Sequence, residues 1–564
     1  MKLRNQLSNK LSASVVLLAC ADYLVFSILS ISAGPIKASI MSSVICGVVF
    51  VVYYSQIQSF SRKAILYTTL LWTFFSIYII AISQLFLLSP FILKLLPSLV
   101  LLIMVPIFKA KYLEAKPMPT KSLIYHLKNN WGIYALNIIL IASCLVFIKT
   151  IPFATATQNM SAAPDEVAHY NYNVKFLIEN HRLPVAGQDD KSAYETCNIN
   201  TYKQGVCLYS YTVFPAANYI FSAATSNILN ELFDISHIKG ARFASLIWAV
   251  VALNFAYLVA FRLSRSRKIA WLISSITLLP QILFVGSYIN QDIHSLAISI
   301  LVIYALVRLV QEKDTLSIVV AGVVFGGLLP LAKYNYFILV PIVCVLILYF
   351  VIRHIITIRT AAYTALSSLA SFLLISSFWF IRNIALYHDL IGQGYVRKLT
   401  DQIVPSQSTL GLNIDSFQSM VDIKFFDYLF DSFFVAFGYM IHFLSPEAYL
   451  LIKALLVCGI VTYLFVVFKK TPQKGKRNIL ILILIGLMIS LVISISLVFY
   501  NAVTYDPQAQ GRYLFNIVGL FIAALATAYR VNKNVLPVII CIFIIIVFCY
   551  LAAVGVFLSH YSIN

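Results

Sequence analysis

Long apolar runs separated by short polar turns set the pattern of this chain. Most runs are about 17 to 25 residues long, the length a helix needs to cross a bilayer. Strict apolar–polar alternation, which a membrane β-barrel requires, is absent. The pattern predicts about fifteen spans, near 12–32, 37–56, 64–87, 91–108, 131–152, 241–261, 269–286, 293–310, 316–331, 337–352, 361–381, 447–468, 478–499, 513–530 and 535–558. The expected fold class is therefore all-α, a polytopic transmembrane helical bundle. Two polar segments, about 153–240 and 382–446, are too long to be connectors. Each contains an apolar stretch, Tyr211–Ser226 and Phe425–Leu444, read as a helix lying at the membrane surface or dipping into it. Counting either one alone as a span would carry every later basic loop to the wrong side.

Composition agrees with this reading. The 564 residues are 61% hydrophobic and only 11% charged, with a mean hydropathy of +0.88. These values exclude a soluble globular protein. Lys2, Arg4 and Lys10 precede the first apolar run. That run is long and contains Asp22, so it reads as a retained helix rather than a cleaved signal. The first four spans carry few polar residues and read as an appended bundle over 1–130, with the main module over 131–564.

The formal net charge of +20 does not point to nucleic acid. The positive residues are sorted by the membrane. Arg62 and Lys63, Lys109 to Lys128, Arg262 to Lys268, Arg353 and Arg359, Lys469 to Arg477, and Arg530 and Lys533 all follow alternate spans. One register makes these loops cytoplasmic and the N-terminus cytoplasmic. Only Glu114, Glu312 and Asp314 then fall in cytoplasmic loops, so the outer face holds nearly all the carboxylates. Seven of nine cysteines lie in apolar spans and read as packing residues. Cys197 and Cys207 share one outer loop. In an oxidising compartment they would close a short disulfide loop; two unpaired thiols are the alternative.

Candidate chemistry gathers on that outer face. Pro164-Asp165-Glu166-Val167-Ala168-His169 opens the first long loop. Its two acids and its histidine are spaced to share a helix face, which suits proton transfer or cation binding. A proline and acids also begin ordinary helices. Asn290-Gln291-Asp292, with His294 beyond, lies at an outer turn, where capping and function compete as explanations. Lys333 occupies another short outer turn, suited to snorkelling or to phosphate. Arg382-Asn383 ends a span. Gln510-Gly511-Arg512-Tyr513 opens one, and an arginine there defies the positive-inside tendency. Arginine suits a bidentate grip on phosphate oxygens, and the glycine before it permits close approach of a ligand. Acids in one loop and cations at neighbouring helix ends fit a reaction between a hydroxyl acceptor and a lipid-linked phosphate donor.

The Pro-Asp-Glu-x-x-His loop, the outer Asn-x-Asp, the Trp-x-x-Arg-Asn span end and the Gln-Gly-Arg-Tyr opening together resemble a bacterial membrane-protein family, domain of unknown function 2142. That family is similar to the GT-C superfamily of glycosyltransferases. The resemblance covers about 131–558 and leaves the first four spans unexplained. It implies a GT-C-like bundle in the bacterial cytoplasmic membrane with its active site facing outward. The implied activity moves a sugar from a polyprenyl-phosphate carrier to a hydroxyl of an envelope glycan or lipid. Asp165 or Glu166 would be the catalytic acid residue, with Asp165 favoured as base and Glu166 as an orienting group. Arg512 would hold the donor phosphate, with Lys333 and Arg382 behind it; His169, Asn290, Asp292 and Tyr513 would shape the pocket. Monophosphate donors generally need no metal, so no cofactor is expected, although the Asp-Glu-x-x-His spacing is compatible with a divalent cation. Two other readings stand beside this one. A polymerase of lipid-linked glycan repeats would share the outer site. A flippase for lipid-linked saccharides should instead line a mid-membrane cavity with charge.

Overall fold

A computed structural model describes residues 122–153, 162–195, 210–403, 424–504 and 509–561. The first four expected spans, with Asp22, and the two loop cysteines Cys197 and Cys207 lie outside the described residues. Of the described residues, 122–129, 175–183 and 223–237 belong to one compact unit and the remainder to a second. In the first unit, Lys175 lies 3.8 Å from Glu179, and the Ser226 hydroxyl donates to the His237 carbonyl at 2.8 Å. The second unit holds the bundle.

Among the described residues the elements are helical, apart from one isolated antiparallel bridge between Phe437 and His442. Nine helices among the described residues are long and apolar enough to cross a membrane: Trp131–Thr150, His237–Ser264, Asp292–Glu312, Tyr334–Ile352, Ile358–Tyr387, Pro446–Lys469, Lys474–Tyr500, Gly511–Val531 and Lys533–His560. Each corresponds to an expected span. Two further expected spans fall short of that length, each for a local reason.

The run expected near 269–286 is a broken helix. It consists of Arg267–Ser274, a 3-10 turn Ser275–Leu278 and a short helix Pro280–Val285. Leu279 is extended (ψ 131°) because the proline ring after it disfavours helical backbone and Pro280 has no N–H to donate. Such a break is tolerated at membrane depth only where protein surrounds it. Every residue from Ile273 to Ile300 is buried.

The run near 316–331 forms a 17-residue apolar helix, Thr315–Leu331. It passes through a π-type turn at Val323–Leu328 and a 3-10 turn at Leu329–Leu331, where Pro330 stands. Its neighbour is the span Ile358–Tyr387. A Cβ added to Gly326 would lie 1.8 Å from the Ser368 carbonyl oxygen, and the Ser376 hydroxyl donates to the Gly326 carbonyl at 2.9 Å. Small residues thus let two backbones touch, the usual device where lipid offers no hydrophobic drive.

The apolar stretch in the first long loop is packed in protein at its start. It forms the helix Ala217–Phe233, and Asn218, Tyr219, Ile220, Phe221 and Ser222 are all buried. The second stretch gives the amphipathic helix Phe425–Phe434, with Phe425 and Leu429 buried and Phe426 and Tyr428 exposed.

Three spans begin at one end of the bundle and run parallel. The starts of His237–Ser264 and Asp292–Glu312 meet through Glu166, which bonds both Arg242 and the Ile289 N–H. Their far ends meet through Arg262 and Glu312 at 2.8 Å. Gly519 packs against Ser299 and Ile300, so Gly511–Val531 follows Asp292–Glu312 in register. The basic loops 262–268 and 530–533 are therefore at the end opposite Asp292 and Arg512.

Candidate functional site

The site begins with a backbone choice at Asp165. This residue adopts left-handed geometry (φ 63°, ψ −2°), and the helix Glu166–His169 starts only after it. Aspartate tolerates that region better than most residues. The result differs from the shared helix face expected for Asp165, Glu166 and His169. The two adjacent carboxylates diverge, and each meets a different arginine.

Glu166 turns inward. It is 1% exposed and receives Arg242 in a two-pronged grip, Nε to Oε1 at 2.7 Å and Nη2 to Oε2 at 2.5 Å. Its Oε1 also accepts the Ile289 N–H at 3.1 Å. The remaining Arg242 nitrogen donates to the carbonyls of Ile148 and Ile151 at 3.1 and 2.8 Å. These carbonyls lie at the end of the span Trp131–Thr150, where helix oxygens lack partners and a cation is favoured. Glu166 and Arg242 therefore tie four chain segments together.

Asp165 turns to Arg512, whose Nη2 donates to Oδ2 at 2.8 Å. Arg512 is otherwise enclosed. Its Nη1 donates to the Tyr288 hydroxyl at 2.7 Å and lies 3.6 Å from Asp292 Oδ2, and its Nε donates to Gln510 Oε1 at 2.5 Å. Asp292 also takes the Lys333 ammonium at 2.8 Å. The four charges thus form one chain, Asp165–Arg512–Asp292–Lys333. Their side chains are 24%, 3%, 2% and 15% exposed, so Asp165 is the most accessible member. The Tyr513 ring lies 4.9 Å from the Lys333 ammonium and 5.7 Å from the Arg512 guanidinium. Burial pushes the Lys333 pKa below its usual value, with Asp292 acting against that shift.

Each charge is set by local sequence. Asn290 Oδ1 accepts the N–H groups of Asp292 and Ile293 at 2.8 and 3.1 Å, capping the span on which Asp292 rides. The Asn290 amide donates to the carbonyls of Val285 and Tyr288, so its polar atoms are spent on this turn. The Lys333 N–H donates to Ser295 Oγ at 2.8 Å. Gly511 lets the turn press against the helix Phe425–Phe434, where an added Cβ would lie 2.1 Å from the Phe433 nitrogen. The close approach that this glycine permits is thus to protein backbone, and it seats Arg512 inside.

His169 borders the cluster and feels all four of its charges. Its Nδ1 is 2.6 Å from the Tyr219 hydroxyl, and its ring stacks on Tyr211 at 4.2 Å. Burial, the main cause, lowers its pKa to about 3, so the imidazole is neutral. Among the described residues no three His, Cys, Asp or Glu side chains converge as a metal-binding group. Asp165, Glu166 and His169 each turn to a separate partner.

Of the residues singled out in the sequence, Asp165, Asp292, Lys333, Arg512 and Tyr513 come together, with His169 beside them. Glu166 and Asn290 are engaged in the framework behind. Arg382 makes its contacts elsewhere. It donates to the Pro184 carbonyl at 2.5 Å and lies over the rings of Trp379 and Tyr387. The sequence reading missed Arg242 and Tyr288. Arg242 carries the same signal that marked Arg512, an arginine at the end of a span away from the basic loops. Tyr288 carries none, since it lies in a buried irregular turn.

A narrow crevice of about 10 Å³, room for little more than one water molecule, lies between three spans, with Ser490, Ser494 and Asn516 among its lining. Ile338, Leu339 and Ile342 line it from the span after Lys333, Ile517 and Leu520 from the span of Arg512, and Ile493 from a third.

No curated protein and no solved structure matches the chain. Residues 228–521 match the family described as "Predicted membrane protein (DUF2142)". The matched region includes Arg242, Asp292, Lys333, Arg382 and Arg512, and stops short of the Asp165 loop and of the last span. It covers just over half of the 564 residues, and the chain belongs to this family of membrane proteins.

Proposed function

We propose that the protein is a membrane glycosyltransferase of the GT-C type that takes its sugar from a polyprenyl-phosphate carrier. The observation that carries this reading is the buried Asp165–Arg512–Asp292–Lys333 chain. It puts two cations beside one accessible carboxylate at the start of apolar spans. The basic loops at the other end of the bundle, read by the positive-inside rule, support a site on the outer face of the cytoplasmic membrane. The acceptor is then a hydroxyl of an envelope glycan or lipid.

In this mechanism Asp165 takes the proton of the acceptor hydroxyl as its oxygen attacks the anomeric carbon. The bond from that carbon to the carrier's phosphate oxygen breaks, and its electron pair stays with the phosphate. Arg512 and Lys333 stabilise the departing anion. Direct displacement inverts the anomeric carbon. Glu166, committed to Arg242, holds the loop from which Asp165 acts, and His169 and Tyr513 shape the pocket. Arg382 has no part in the donor site on this reading.

A density map of the purified protein with a polyprenyl phosphate tests the proposal. A phosphate within reach of Arg512 and Lys333 is the expected result. A headgroup held at mid-membrane depth, away from Asp165, would overturn it and favour transport of lipid-linked saccharides.

A further inference from the structure

Arg512 has two claims on it, and they conflict. In the structure its Nη2 is bound to Asp165. In the proposed reaction the same guanidinium must hold the donor phosphate while Asp165 receives a proton. A carboxylate paired with an arginine is a weaker base than a free one, because the guanidinium favours its charged form. We propose that the donor phosphate displaces Asp165 from Arg512, and that this exchange frees the base, so that the donor binds before the acceptor. The proposal rests on the transferase reading above.

Charge crowding around Arg512 favours an exchange. The cluster holds two cations and two carboxylates, and sums to zero. A phosphate added to the intact chain would give a buried group of three anions and two cations, which a low-dielectric site penalises. One carboxylate must give way, and the geometry selects which. Asp292 is 2% exposed, bonds Lys333 at 2.8 Å, sits 3.6 Å from Arg512 and rides on a capped helix start. Asp165 is 24% exposed, and its carboxylate makes one bond, to Arg512. The Asp165 backbone is left-handed, with the ordinary extended and helical regions open to it. Its neighbour Glu166 stays fixed by Arg242, so the freed carboxylate pivots to the water-accessible edge of the site, where its charge is solvated, rather than leaving it.

The exchange leaves the chemistry balanced. The phosphate gains the guanidinium that it needs as a leaving group. Asp165 exchanges that partner for the acceptor hydroxyl, takes its proton, releases it to water once the carrier phosphate departs, and returns to Arg512 as a carboxylate.

The test uses the full chain in detergent with farnesyl phosphate as probe. Asp165→Asn, and Asp165→Ala as a second variant, should bind the probe about tenfold more tightly than the unaltered protein, because the competing carboxylate is gone. Farnesol, which lacks the phosphate, should not distinguish the three proteins. In a density map with the probe bound, Asp165 should stand beyond hydrogen-bond reach of Arg512 while the Asp292–Lys333 pair persists. Equal or weaker binding by the variants overturns the exchange, as does a map with phosphate beside an intact Asp165–Arg512 pair. Both of those results leave the phosphate site standing. Failure of all three proteins to bind the probe removes the phosphate site itself, and the exchange with it.

Discussion

Asp165 and Glu166 are adjacent, both acidic, and each meets an arginine at the site end of another span. Their circumstances are otherwise opposite. Glu166 is sealed in a two-pronged pair whose arginine also caps a helix. Asp165 makes one bond at the edge of a pocket, from a backbone conformation few residues share. A buried pair whose nitrogens and oxygens each already have a partner fixes structure. A singly bonded, accessible carboxylate can change partners. Two identical functional groups one residue apart thus divide into scaffold and reagent, and the dividing step is the left-handed turn at Asp165.

The sharpest way to break this contrast is to neutralise each acid. Asp165→Asn should cost about 10²- to 10⁴-fold in sugar transfer, the usual worth of a positioned base. Its stability cost should stay below the about 3–5 kcal/mol of stranding a buried charge, because Arg512 keeps Asp292, Tyr288 and Gln510. Transfer assays and thermal unfolding of the same preparation check both. Unchanged transfer would remove Asp165 as base. Arg512→Ala should cost about 10²- to 10³-fold, the scale of losing one preorganised donor to a developing anion. The loss should appear in donor KM as well as in kcat. An unaltered response to donor concentration would contradict the phosphate role.

Glu166 should behave the other way round. Glu166→Ala or Arg242→Ala leaves one buried charge without its partner and should cost about 3–5 kcal/mol of stability. A double Glu166→Leu, Arg242→Met variant should recover much of that loss, because no charge is then stranded. Unfolding midpoints in detergent measure this. A double variant as unstable as either single one would show that the Ile289, Ile148 and Ile151 bonds matter more than the pair.

The same contrast marks what the sequence can reveal. Apolar run length identified the nine long spans, because lipid imposes that length directly. It could not reveal that the run near 269–286 breaks at Leu279-Pro280, or that the run near 316–331 changes pitch beside Gly326. A run buried in protein is as apolar as one that crosses lipid. Arginine placed against the charge gradient pointed to Arg512, and the same logic applied to Arg242 would have found the partner of Glu166. The split between Asp165 and Glu166 was beyond reach. Helical spacing placed them on one face with His169, and only a positive φ, which aspartate permits and does not require, turned them apart.

The smallest effect tests the pocket wall beside Asp165. Burial holds the His169 pKa at about 3, below the 6.5 of an exposed imidazole. The unfolded chain therefore takes up a proton near pH 6.5 that the folded protein refuses. By linkage, the stability tied to neutral His169 is complete above pH 6.5 and is lost progressively as pH falls toward 3. His169→Gln keeps a partner for the Tyr219 hydroxyl and removes the titration. Its unfolding midpoint should fall less steeply than that of the unaltered protein between pH 6.5 and 4. Parallel slopes would mean that His169 is solvated and charged, and that the pocket beside Asp165 is wetter than its stacked wall of Tyr211 and Tyr219 implies.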